Sequence, residues 1–92
     1  MVQWNKIPPN KDLYGELIGY KIILKSQSQS LNLSKSIDNA QIELEDLFPE
    51  TTYHITIFGY SQNEDGLKSD VKKFTTSGNY LYNDILINFP YF

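Results

Sequence analysis

A chain of 92 residues suits one small domain with a modest hydrophobic core. A net charge of −3 with scattered lysines argues against a nucleic-acid footprint, and the lack of cysteine excludes a disulfide framework or a thiolate metal site. No apolar run approaches the roughly 20 residues of a membrane-spanning helix, and no secretory signal peptide is visible.

The first segment, Val2–Asn5, alternates and places Val2 and Trp4 on one face. Pro8, Pro9, Asn10 and Gly15 mark the following stretch, "KIPPNKDLYGE", as a loop. "LIGYKIILK" reads as a strand, with Ile18, Tyr20, Ile22 and Leu24 on one face and Lys21, Ile23 and Lys25 on the other. After the polar turn "SQSQS" comes a short strand around Leu31–Leu33, then a turn through "SIDNA". "QIELEDL" points Ile42 and Leu44 inward and Gln41, Glu43 and Glu45 outward, and Pro49 breaks the pattern. "TYHITIFGY" puts Tyr53, Ile55, Ile57 and Gly59 on one face and His54, Thr56, Phe58 and Tyr60 on the other. "SQNEDG" carries strong turn chemistry, and "LKSDVKKFTT" reads as the last regular strand. Short alternating strands separated by turns, without a helical period, indicate an all-β sandwich or barrel.

The order and type of these segments, from about Val2 to Thr76, resemble a fibronectin type III domain. Trp4 resembles the core tryptophan of strand B, and "IGYKIIL" resembles strand C. "IELEDLFPETTYHITIFGY" resembles strand E, the E–F turn and strand F, while "NEDG" and "KKFTT" resemble the F–G loop and the end of strand G. The resemblance implies an immunoglobulin-like antiparallel β-sandwich over residues 1–77, holding strands B to G, with 78–92 as an apolar C-terminal extension. It makes Tyr53 the tyrosine-corner residue, its hydroxyl bonding back to the backbone of the E–F turn. The core would be Trp4, Tyr20, Ile22, Leu44, Leu47, Tyr53, Ile55, Ile57 and Phe74.

Two departures from the family pattern stand out. Only Met1–Gln3 precede the strand B tryptophan, so strand A is missing and the edge of strand B is expected to be open to pairing. The chain also continues as "SGNYLYNDILINFPYF", where Ile85, Ile87 and Phe89 alternate with Leu86 and Asn88. This tail has three placements open to it. It can dock within the chain, in the vacant strand A position or beside strand G; it can exchange with a second chain in a strand-swapped dimer; or it can stay outside the fold. Beside strand B it would have to run parallel.

Few residues point to chemistry. His54 stands alone on an outward position, which suits a solvated polar residue, and neither cysteine nor a second histidine is available for zinc. Glu43, Glu45 and Asp46 read as a solvated strand face, and Glu64 and Asp65 lack the spaced oxygen ligands of a calcium loop. No nucleophile–base arrangement or glycine-rich phosphate loop is present, so no enzyme activity, metal or cofactor is expected. Ile23, Phe58 and Tyr60 form a candidate interface patch on the sheet face opposite the core, joined by Ile85, Ile87 and Phe89 of the tail. Asn32-Leu33-Ser34 is a glycosylation sequon. The function implied by the resemblance is a protein–protein interaction or spacer module of a larger extracellular receptor or adhesion protein. The alternatives are a spacer in an intracellular muscle-type array or an accessory module of a secreted enzyme.

Overall fold

Alternation sets the layering. In the run from Thr52 to Ser61, Tyr53, Ile55, Ile57, Gly59 and Ser61 are all buried, while Thr52 and His54 face solvent. The computed structural model describes residues 1–5, 17–36, 38–61, 65–79 and 81–87, and the elements within them are all strands. These are β1 (Val2–Trp4), β2 (Leu17–Lys25), β3 (Ser30–Ser36), β4 (Gln41–Ile42), β5 (Thr52–Ser61), β6 (Asp65–Lys68), β7 (Lys72–Thr75) and β8 (Ile85–Ile87). They form two sheets, one ordered β4-β1-β8 and one ordered β3-β2-β5-β6 with β7 also paired to β5. The arrangement is an antiparallel β-sandwich apart from one parallel pair.

The core lies between the sheets. Val2, Trp4, Ile42, Leu44 and Ile87 come from the smaller layer, and Tyr20, Ile22, Leu24, Tyr53, Ile55 and Ile57 from the larger. Leu47 closes it from the turn after β4, and Phe74 is half-buried against it. Trp4 meets Tyr20 edge-on across the layers at 5.3 Å, a favoured aromatic geometry.

The segment leading into β5 is shaped by Pro49 and by two left-handed residues, Asp46 and Glu50. Glu50, directly after Pro49, has φ 49°, the conformation a type II turn requires at its third position. Phe48 N–H donates to the Tyr53 hydroxyl (2.8 Å), and that hydroxyl donates to Gln29 Oε1 (2.6 Å). The Thr76 hydroxyl, almost fully buried, donates to the Phe48 carbonyl (2.6 Å) and accepts the Thr51 N–H (3.0 Å). The buried polar groups of the turn are thereby satisfied from two neighbouring segments.

Several local expectations fail for identifiable reasons. Ile18 does not share the core face of Tyr20, Ile22 and Leu24; it is 46% exposed. The register against β5 shifts between Leu17 and Gly19, and such a bulge puts a residue out of phase with the rest of its strand. Gly19 sits where a Cβ would collide with the Lys35 carbonyl and press on the Tyr60 ring, so no larger residue fits without movement. The strand read from "LKSDVKKFTT" is two strands, β6 and β7, each paired to a different half of β5. Ser69 bridges the break: its N–H donates to the Ile57 carbonyl (2.7 Å) and its hydroxyl accepts the Ile57 N–H (2.9 Å). Nor is it the last strand, because β8 follows.

The edge of β1 is not open. β8 pairs with it in parallel, with Val2 opposite Ile85, Gln3 opposite Leu86 and Trp4 opposite Ile87. Ile87 is fully buried and Ile85 packs partly against the core. The connecting segment is anchored at Tyr82, whose hydroxyl accepts the Leu44 N–H (2.9 Å) and donates to Glu43 Oε2 (2.9 Å). Its ring tilts against Phe74, which in turn stacks on Tyr53. The Ile85 N–H donates to the Met1 carbonyl (3.0 Å), and the Met1 ammonium group meets Asp84 (3.0 Å) and Glu43 (3.6 Å).

Candidate functional site

The outward-pointing residues of the larger sheet form the candidate contact surface. Three registers generate its pattern, in two rows. In one row Lys21 of β2 lies opposite Phe58 of β5, and Phe58 lies opposite Lys68 of β6. In the other, Lys25 lies opposite His54, and His54 opposite Lys73 of β7. Ile23, opposite Thr56, separates the rows. Strands lie about 4.8 Å apart and rise about 3.3 Å per residue, so the four lysines mark the corners of a rectangle of about 10 by 13 Å. The two rows contain no carboxylate. Glu50 lines a shallow groove together with Lys25, His54 and Lys73, and Asp65 lies opposite Tyr60 at the far end of the sheet.

The lysines also shape the apolar part of the face. Lys21 Nζ lies 5.0 Å above the Tyr60 ring, and Lys68 Nζ lies 5.8 Å from the Phe58 ring, within the range of cation–π attraction. Phe58 was expected as an open patch residue; it is only 4% exposed, although it stands outside the core cluster. Lys68 reaches over its ring, and a long lysine stem covers apolar surface while its charge stays in water. Ile23 and Tyr60 are half-buried. Ile23, Phe58 and Leu33 line a second shallow depression beside Lys21 and Asn32.

The other sequence-predicted residues are dispersed. Trp4, Tyr20, Ile22, Leu44, Leu47, Tyr53, Ile55 and Ile57 lie in the core, away from this face. Ile87, grouped with the candidate interface, is a core residue, and Ile85 is half-buried beside it, because parallel pairing with β1 turns both inward. Phe89 lies outside the described residues, as do residues 6–16 and 62–64. Asn32 is exposed on β3, at the edge of the larger sheet. Glu43, Glu45 and Asp46 are exposed near the smaller sheet.

Sequence reasoning missed the lysine rectangle, Tyr82 and the bridging roles of Gln29, Ser69 and Thr76. The lysine signal was present as Lys21 and Lys25 on the outward phase of one strand. Its counterpart required the pairing registers of β6 and β7, which the break at Ser69 conceals. Tyr82 holds its proton more tightly than a free phenol. Burial raises its phenol above the ordinary value of 10.0, nearby Glu43 and Asp84 add to the rise, and only the hydrogen bond from Leu44 opposes it.

Comparisons with curated proteins and with solved structures yielded no match. The family model of the fibronectin type III domain matches residues 1–75, which run from β1 through β7. The sandwich, its tyrosine corner and this match agree: the chain belongs to the fibronectin type III family, whose domains are generally protein-interaction or spacer modules and typically non-catalytic.

Proposed function

We propose that this domain is a non-catalytic interaction module of a larger extracellular receptor or adhesion protein, and that it meets its partner through the outer face of the larger sheet. The observation that carries the reading is the composition of that face: half-buried Ile23 between two rows that carry Lys21, Lys25, Lys68 and Lys73, with Phe58 inside one row and half-buried Tyr60 just beyond it. An apolar centre with a polar rim is the usual anatomy of a protein contact surface, and a rigid sheet holds it in place. The exposed sequon at Asn32 on β3 supports passage through the secretory pathway; Asn32 is the cross-strand neighbour of Ile23, so a glycan there would border the face and leave its β5, β6 and β7 side to the partner.

The test places a photo-crosslinking residue at position 23 and, separately, at position 38 in the exposed turn between β3 and β4, which belongs to neither sheet face, in cells that secrete the chain. The expected outcome is one protein crosslinked from position 23 and absent from position 38. Equal crosslinking from both positions, or none, would make the domain a spacer. In the same cells the secreted chain should carry a glycan that Asn32→Gln removes; an unmodified chain would withdraw the support that the sequon lends to an extracellular setting.

A further inference from the structure

The two outer faces of the sandwich carry opposite charge. On the larger sheet stand Lys21, Lys25, Lys68 and Lys73, four of the six lysines among the described residues. On and beside the smaller sheet stand Glu43, Glu45, Asp46 and Asp84, all exposed, and none of the described lysines belongs to that sheet. Gln41, Gln3 and Leu86 form its outward row, with Leu86 57% exposed. The Met1 ammonium group offsets part of the negative charge through Glu43 and Asp84, whereas Glu45 and Asp46 form no ion pair among the described residues. Neither do Lys25, Lys68 and Lys73.

We infer that the lysine-bearing face of one molecule receives the acidic face of a second copy of the chain. The faces match in kind as well as in sign. Leu86 supplies an exposed apolar side chain beside Gln3 and two residues from Asp84, and Ile23 and Phe58 supply a shallow apolar depression beside Lys21. A sulfated polysaccharide would satisfy the lysines but offers nothing for Ile23. The inference rests on the reading of this sheet face as the contact surface and adds the identity of the partner. Because donor and acceptor faces differ, each added molecule leaves a free face of each kind, so association is head-to-tail and open-ended. The smaller sheet spans three strands, about 10 Å between its outer ones, so the contact belongs to the small, transient class. Its charge complementarity makes it sensitive to salt.

Sedimentation velocity over a concentration series of the full chain tests this. At low ionic strength the average sedimentation coefficient should climb with concentration past the dimer value, and should return to the monomer value in high salt. Lys25→Glu with Lys73→Glu should push the onset to at least about tenfold higher concentration, and Gln41→Lys with Glu45→Lys should do the same. An equimolar mixture of the two variants should associate again, because each supplies the face the other has reversed; this recovery also shows that both are folded. A monomeric wild type at low salt, a mixture that stays monomeric, or association that requires added heparin would overturn the inference. Crosslinking from position 23 to a different protein would then leave the interaction module standing without the self-association.

Discussion

Tyr53 and Tyr82 hold the segment 43–48 from its two ends, and their hydroxyls are used alike. Each accepts a backbone N–H, from Phe48 and Leu44, and each donates to a side-chain oxygen, of Gln29 and Glu43. Their settings differ. Tyr53 is fully buried inside the ten-residue β5, within the part of the chain that matches the family model. Tyr82 is half-buried in the connection to β8, outside the matched residues, and its acceptor is an exposed carboxylate. The same bond is therefore expected to count for more at Tyr53, where water cannot replace it, than at Tyr82, where it can.

The largest expected effect tests whether the tail belongs to the cooperative core at all. Ile57 in β5 and Ile87 in β8 are both fully buried. Ile57→Ala and Ile87→Ala should each cost about 2–5 kcal/mol in chemical denaturation. An unchanged midpoint for Ile87→Ala would separate the tail from the frame. Next comes Tyr53→Phe, which keeps the ring but removes the fully buried hydroxyl that accepts the Phe48 N–H and donates to Gln29, at a cost of about 1–3 kcal/mol. Tyr82→Phe should cost less, about 0.5–1 kcal/mol, and the two variants measured side by side show directly how far burial separates the tyrosines.

Alkaline pH sharpens the contrast further. The folded state holds the Tyr82 phenol above its unfolded value of 10.0. Its contribution is therefore complete below pH 10 and declines as the pH rises through the folded value. Wild type should lose stability relative to Tyr82→Phe in that window, and parallel curves for the two proteins would refute the assignment. The smallest effect has the opposite sign. Glu50 pays a left-handed backbone penalty at φ 49°, and Glu50→Gly should raise the melting free energy by up to about 1 kcal/mol.

Tyr53 was legible in the sequence because two independent signals coincide there: a proline turn fixes where β5 begins, and strict alternation fixes which residues face inward. The same alternation misplaced Ile18, since a bulge changes phase without changing composition. Phe58 was placed on the correct sheet face but not at its true exposure, because the cover comes from Lys68 on a strand whose register the sequence does not state. The Ile-Leu-Ile of β8 shows an alternating pattern but carries no information about its neighbour. Parallel pairing with β1 depends on the 76–84 connection crossing from one sheet to the other, and on Tyr82 finding Leu44. The candidate contact face was visible as an apolar trio and invisible as a charged rectangle, for the lysines meet only once three registers are combined.

The parallel direction of β8 has a mechanical consequence. Tension applied between the start of β1 and the end of β8 draws these neighbouring strands in opposite senses along their length. The ladder is then sheared, with its hydrogen bonds loaded together, instead of being peeled open one bond after another as an antiparallel hairpin would be. A three-residue patch, tied at one end by the Ile85 N–H to the Met1 carbonyl, thus becomes the latch through which pulling force must pass before the sandwich can come apart.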